Sequence, residues 1–174
     1  RIADGQNFEI RRTLGKYAYV LEYQRRILFK KRSEILLEMV PSQLKLKKEE
    51  QYRQLCDDYG SEKVDEITRR ITLHCMDETW YDFLEYCESI REGIELISAN
   101  RKNPLDEYHK LAIEEFDRIY KELDAKILSA LENTDYSMDI AALAEKGMGT
   151  PSATWTYIIN DSVKVKKFSL FMGS

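Results

Sequence analysis

The sequence predicts a mainly α-helical protein, in which a long helix packs with an antiparallel pair of helices, beside a short helical region and a β-prone C-terminal tail. Three observations support this class. The chain has only 7 Gly and 3 Pro among 174 residues, a composition that favours helix over sheet. Apolar residues recur at helical spacing over three long stretches. Two of these stretches are separated by about five residues, so they must fold back on each other.

The first stretch predicts one long helix from about Asp4 to Met39. Its long or apolar side chains recur about every 3.6 residues and therefore share one helical face. These residues are Ile10, Leu14, Tyr17, Leu21, Gln24, Leu28, Lys31, Ile35 and Met39. A helix of this length extends about 54 Å, so we expect it to need packing partners. Pro41 and Ser42 are expected to end it.

The other two stretches predict a helical hairpin with an exposed basic turn. One helix is expected from about Val64 to Ile97, after Gly60 and Ser61, and its partner from Pro104 to about Leu131. Asn103 can cap the second helix, and Pro104 suits its first position. The predicted hairpin core includes Trp80, Leu84, Ile94, Tyr108 and Phe116. Residues 42 to 60, between the long helix and the hairpin, predict a short helix.

The C-terminal part has a different composition. Residues 134 to 153 predict a linker with a short alanine-rich segment, and the segments from Thr154 and from Val163 are rich in β-branched and aromatic residues. Because an isolated two-stranded hairpin is marginal in water, we expect this tail to pack on the helices of this chain or on a sheet outside it.

Charge is distributed unevenly along the chain. Residues 1 to 39 carry nine Lys or Arg against five Asp or Glu, a net charge of +4, so the remainder carries −8 to give the total of −4. A basic cluster consists of Arg25, Arg26, Lys30, Lys31 and Arg32. It could meet an acidic partner domain, an anionic membrane surface or nucleic acid. Nucleic acid is the least favoured of these, since no nucleic-acid-binding motif accompanies the charge.

Sequence motifs for catalysis and metal binding are absent. The sequence has no phosphate-binding GxxxxGK[ST] loop, no HExxH and no GxSxG. Cys56, Cys75 and Cys87 lack zinc-site spacing and predict a reducing compartment, while His74 and His109 are isolated on helices. No apolar run long enough for a membrane span and no signal peptide is found. We therefore expect no catalysis, cofactor or metal in this chain itself, and the start at Arg1 suggests a piece of a larger protein.

Two stretches resemble the C-terminal helical region of SecA, the motor ATPase of bacterial protein export. Gln6 to Leu36 is similar to the start of its scaffold helix through Phe8, Glu9, Ile10, Arg11, Tyr17, Gln24 and Arg25. Asp77 to Tyr108 is similar to its two-helix finger through Trp80, Leu84, Arg91, Gly93, Ile94, Leu96, Pro104 and Tyr108. The resemblance implies a scaffold helix at 1–41, a helical wing reduced to 42–64, a finger at 65–133, and a linker with a tail at 134–174.

The departures from the family pattern are specific. Ala18 and Tyr19 stand where the family has an aspartate pair, and Ala99 stands where its fingertip has a tyrosine. The segment TPSATWTYIIND replaces the family's basic linker and cysteine-rich zinc tail. Together with the short wing, these departures resemble an accessory SecA of a Gram-positive bacterium.

The resemblance implies specific contacts. The fingertip residues Ser98, Ala99, Asn100, Arg101 and Lys102 would contact a SecY-type channel or the unfolded preprotein. Phe8, Arg11, Tyr17, Gln24 and Arg25 would form interdomain scaffold contacts, including contacts to the nucleotide-binding domains of the same protein. The parent would use ATP with magnesium and would lie in the cytoplasm, peripheral to the plasma membrane. The alternative hypothesis is a helical-hairpin adaptor without any link to an ATPase.

Overall fold

A computed structural model of the chain describes residues 2–97, 103–145 and 147–149. In chain order the described helices are α1 (Ile2–Leu36), α2 (Gln43–Lys47), α3 (Glu49–Tyr59), α4 (Ser61–Ile97), α5 (Pro104–Glu132) and α6 (Ile140–Glu145). The mainly α-helical class is confirmed, and no strand occurs in this part of the chain. The predicted strand-like tail from Thr154, and the side chains of Phe8 and Arg11, lie outside what is described.

Helices α4 and α5 form an antiparallel hairpin. Phe83 of α4 meets Phe116 of α5 edge to face, with 5.5 Å between ring centroids. Further along, Lys126 donates to the hydroxyl of Thr79 at 3.2 Å, so the partner numbers rise on one helix as they fall on the other. The turn side of α5 begins as predicted, because Asn103 Oδ1 accepts a hydrogen bond from the Leu105 N–H at 3.1 Å.

Helix α1 lies along this hairpin, parallel to α5. At about 1.5 Å per residue its 35 residues extend about 52 Å. The face predicted from periodicity is the buried one, with Leu21 at 7% and Leu28 at 1% exposure. Met39, which was predicted on the same face, is 69% exposed, because the helix has ended by then. The apolar stripe of α1 therefore completes a three-helix core with α4 and α5.

Helix α1 ends at Leu36, three residues before the predicted end at Met39. The Met39 N–H donates to the Glu34 carbonyl at 2.8 Å and the Glu38 N–H donates to the Ile35 carbonyl at 3.1 Å. This is a Schellman motif, and Glu38 occupies its left-handed position with φ of 58°. The helix thus stops through its own backbone hydrogen bonds, before Pro41 is reached.

The short region predicted as one helix between α1 and the hairpin is two helices. Helices α2 and α3 are separated by Lys48, whose φ of −138° is not helical. Leu44 is fully buried and Tyr52 is 7% exposed, whereas Leu46 is 59% exposed. Helix α4 then starts at Ser61 rather than Val64, because the Gly60 carbonyl accepts the first helical hydrogen bond from the Val64 N–H.

Candidate functional site: the joint between the long helix and the hairpin

A buried ion pair joins α1 to α4. Arg32 is 4% exposed, and its Nε and Nη2 donate to the two carboxylate oxygens of Asp77 at 2.8 and 3.1 Å. Such a two-pronged contact fixes orientation as well as distance. The Asp77 side chain remains 39% exposed. Because a guanidinium placed in the core needs a carboxylate, this pair holds the C-terminal half of α1 in one position on the hairpin.

A second ion pair joins α1 to α5, one residue earlier. Lys31 Nζ lies 2.5 Å from Asp124 Oδ1 and 5.2 Å from the centre of the Tyr120 ring, within the range of a cation–π contact. Neighbouring residues of α1 therefore reach the two different helices of the hairpin. Movement of α1 at this point would act on both helices together.

Two more contacts between α1 and α5 lie nearer the N-terminus of α1, towards the turn of the hairpin. Gln24 is 3% exposed, and its Nε2 donates to the Ala112 carbonyl at 3.1 Å. The rings of Tyr17 and Tyr108 meet edge to face at 4.8 Å. We call the contacts of Tyr17, Gln24, Lys31 and Arg32 with α4 and α5 the helix joint. Tyr17 and Gln24, predicted as interdomain residues, thus face the hairpin, and any contact with another domain stays a prediction.

The basic cluster of α1 is mostly neutralised within the chain. Arg25 Nε donates to Glu22 at 2.8 Å, and Arg26 Nε donates to the same carboxylate at 3.1 Å. These hydrogen bonds from Arg25 and Arg26 lower the pKa of Glu22 to about 2. Lys31 and Arg32 pair with Asp124 and Asp77. Four of the five members of the cluster therefore pair within the chain, while the fifth, Lys30, is exposed.

The residues predicted as the finger core occupy the interior of the hairpin. Trp80 and Phe116 are each 4% exposed, and Ile94 and Tyr108 are each 1% exposed, while Leu84 is half-buried at the edge of the core. Cys87 lies among them at 2% exposure. Burial raises the pKa of its thiol to about 12, so Cys87 acts as a packing residue.

The predicted fingertip, Ser98 to Lys102, lies outside the described residues. What the structure describes is its two supports. Helix α4 continues to Ile97, and α5 starts at Pro104 after the Asn103 cap. Any contact of the tip with a channel or a polypeptide therefore stays a prediction.

The joint contains residues that sequence reasoning did not single out. Asp77 and Asp124 lie 45 and 93 positions away from their α1 partners, and no local pattern marks such pairs. A signal for Arg32 was nevertheless present, because it follows Gln24 and Leu28 at steps of eight and four residues on the buried face. An arginine on an apolar stripe indicates a buried partner carboxylate.

Two further searches of the described side chains concern metal ions and the membrane. Among residues 2–97, 103–145 and 147–149 no group of His, Cys, Asp or Glu could hold a metal ion. In the same ranges no helix combines the length and apolarity that a bilayer span requires. A long helix fixed to a two-helix projection by buried polar contacts defines a helical scaffold module.

Comparison with known proteins gives this module a family. Residues 37–135 match the family model of the SecA wing and scaffold domain. The chain belongs to the SecA wing and scaffold family, which confirms the resemblance drawn from its sequence. No solved structure matches it.

Curated relatives agree with this family. The chain is 34% identical over 165 residues to "Protein translocase subunit SecA 2" of Thermobifida fusca, covering 92% of this chain and 21% of that protein. It is 31% identical over 163 residues to the SecA 2 subunit of Corynebacterium diphtheriae, covering 93% and 21%. It is 29% identical over 163 residues to the SecA subunit of Mycobacterium avium, again covering 93% and 21%. The chain thus spans about a fifth of the length of these relatives.

Proposed function

We propose that this chain is the scaffold and finger part of a SecA-type protein translocase of the accessory kind. In this role it couples ATP-driven movement of the motor to export of unfolded polypeptides through a SecY-type channel. Family membership and relatives named as translocase subunits support the proposal, and they favour it over the adaptor hypothesis. The names of two of these relatives, SecA 2, support the accessory kind.

The helix joint is the observation that carries this proposal. Arg32, Lys31 and Gln24 connect α1 to both helices of the hairpin through Asp77, Asp124 and the Ala112 carbonyl. Packed helices with buried polar contacts shift as one body rather than deforming gradually. A displacement of α1 by a motor domain would therefore be transmitted to the hairpin, whose far end carries the predicted fingertip.

The remaining parts of the machine would lie outside these 174 residues. ATP with magnesium would be held by nucleotide-binding domains of the parent, since this chain has no phosphate-binding loop. The partners would be those domains, the channel and the preprotein. The parent would act in the cytoplasm at the membrane face, where anionic lipid is a further partner.

The fingertip role can be tested in the intact parent protein. We expect Arg101→Ala with Lys102→Ala to reduce export of its substrates while leaving basal ATP hydrolysis in solution unchanged. A matched control is Arg53→Ala with Lys121→Ala, which removes two exposed charges from α3 and α5. Normal export by the fingertip variant would show that the assignment of these residues is wrong.

Coupling through the joint requires a separate test. In the parent, Asp77→Ala removes the carboxylate that orients Arg32. We expect the number of polypeptides exported per ATP hydrolysed to fall, because movement of α1 would reach the hairpin less completely. Export and hydrolysis that fall in equal proportion would contradict coupling through this contact.

A further inference from the structure

Four large apolar side chains are exposed together where the chain passes from α1 into α2. We define the turn patch as Leu37, Met39, Val40 and Leu46, whose exposed fractions lie between 42% and 69%. They are half of the large apolar side chains that are exposed in the described part of the chain. Clustered apolar surface of this kind marks a place that another surface covers. The turn patch therefore indicates a docking site.

A cleft lies beside the turn patch, between the end of α1, α2, α4 and α5. Its volume is about 530 Å³, and Met39, Val40 and Leu46 line it. Binding clefts in proteins have volumes of about 300–1,000 Å³. Half-buried Ile35 of α1 and fully buried Ile127 of α5 add further apolar surface to its wall. The cleft is therefore suited to an occupant with large apolar side chains.

The unpaired charge in the cleft is acidic. Its charged side chains are Lys31, Glu34, Glu38, Lys45, Asp65 and Arg69. Lys31 and Arg69 pair with carboxylates of the chain, and Lys45 lies over an aromatic ring. The Glu34 carboxylate, in contrast, forms no ion pair with a described residue, and Asp65 accepts a hydrogen bond from a neutral tyrosine hydroxyl. The cleft therefore favours an occupant that also carries cations.

Gln43 adds an unused hydrogen-bond acceptor to the wall of the cleft. Its side chain lines the cleft, and its Oε1 is buried without a hydrogen-bond partner in the described part of the chain. A buried amide oxygen without a donor is destabilising. An N–H group of an occupant could supply that donor after a rotation of the Gln43 side chain.

The C-terminal tail of the chain has the composition that this cleft requires. Residues 154–159 include Trp155, Tyr157 and two isoleucines, and residues 163–171 include two valines, two phenylalanines and a leucine. Residues 150–174 carry three Lys and one Asp, a net charge of +2. Apolar side chains gain free energy when they leave water, and the lysines complement the carboxylates of the cleft.

The tail also starts from the helix that forms one wall of the cleft. The last described residues, 147–149, lie on α4, where the Met148 carbonyl accepts a hydrogen bond from Arg70 Nη1 at 3.5 Å. Arg70 directly follows Arg69, whose side chain lines the cleft. Residues 150–174 can extend about 80 Å, several times the diameter of a helix. The tail can therefore pass around α4, and its tether gives it a high effective concentration at the cleft.

We propose that residues 154–171 dock in the cleft beside the turn patch. The apolar side chains of this segment cover Met39, Val40 and Leu46, and its lysines lie near Glu34 and Asp65. A second copy or a separate protein would have to bind without the tether, which favours the tail as the occupant. Since Lys31 lines the same cleft, the docked tail contacts the helix joint.

Photo-crosslinking in the intact parent protein tests this docking. With p-benzoylphenylalanine in place of Met39 or Leu46, we expect a crosslink to a peptide from residues 154–171 of the same copy. A mixture of unlabelled and isotope-labelled protein identifies crosslinks between copies, because these have mixed masses. Ile113, exposed on α5, is the matched control and should give at least several-fold less of the tail product. Crosslinks mainly to a second copy, to another part of the protein, to another protein or to lipid, or no crosslink, would overturn the proposal.

Substitutions on the two surfaces give a second readout. Val40→Asp should lower the yield of the tail crosslink from position 46 several-fold, because it places a charge under the docked segment, whereas Ile113→Asp should not. Circular dichroism of both variants separates this effect from misfolding. Lys164→Glu with Lys166→Glu should also lower the yield, and Glu34→Lys in that background should restore part of it. An unchanged yield in folded Val40→Asp would contradict docking on the turn patch.

Discussion

Asp77→Ala should destabilise the fold by about 2–3 kcal/mol. Removing one partner of a fully buried ion pair costs about 3–5 kcal/mol, whereas exposed pairs contribute about 0–1 kcal/mol. The Arg32 side chain is 5% exposed and that of Asp77 is 39% exposed. Water can therefore enter at the Asp77 end and solvate part of the guanidinium left behind. The expected loss consequently lies between the two limits, nearer the buried one.

Urea unfolding followed by circular dichroism measures this loss. Because the unfolding free energy falls by about 1–3 kcal/mol per molar urea, the urea midpoint of the variant should be lower by about 0.7–3 M. Glu49→Ala is the matched control, because its partner Arg53 is 73% exposed, and its effect should be below about 0.5 kcal/mol. Arg32→Met combined with Asp77→Leu should recover most of the loss, since apolar replacement of both partners removes the buried charge. If Asp77→Ala costs no more than the Glu49 control, the reasoning about burial is wrong.

Three further predictions concern stability and reactivity. Trp80→Ala should cost about 3–5 kcal/mol in thermal melts, and a loss below about 1 kcal/mol would contradict its burial. At position 38, with φ of 58°, Glu38→Gly should be more stable than Glu38→Ala by about 1 kcal/mol; equal midpoints would exclude backbone strain there. Burial raises the pKa of Cys87 from 9.0 to about 12, so the unfolded chain ionises first. The contribution of the buried neutral Cys87 thiol to the free energy of unfolding is therefore intact below pH 9.0 and is lost as pH rises towards 12. In the Cys87→Ala variant, the free energy of unfolding should fall less steeply with pH in the alkaline range. Iodoacetamide should label half-buried Cys56 before Cys87 at pH 8, and the reverse order of labelling would contradict the burial of Cys87.

The arrangement of α4 and α5 could be predicted from sequence because its signals are local. Asn103 and Pro104 mark a helix start through their own backbone chemistry, and the structure has the cap at that place. The short connection then leaves an antiparallel pair as the only compact arrangement. Buried residues such as Trp80 and Phe116 follow from spacing alone.

The end of α1 and the partners in the joint could not be predicted in the same way. The left-handed residue at a helix end is usually Gly or Asn. A glutamate at position 38 therefore does not indicate from the sequence that α1 ends there. The contact of Arg32 with Asp77 depends on how α1 lies across α4, which neighbouring residues do not determine. The charge of Arg32 alone would predict an exposed side chain, although the side chain is buried in the fold.

The helix joint also determines which motions of α1 are easy. Gln24, Lys31 and Arg32 each reach a different partner, and the three partners lie at different heights along the hairpin. A slide of α1 along its axis by one turn, about 5.4 Å, would separate all three donors from their acceptors at once. Sliding of α1 along the hairpin is therefore resisted at three points, so that α1 and the hairpin should move along this axis as one body.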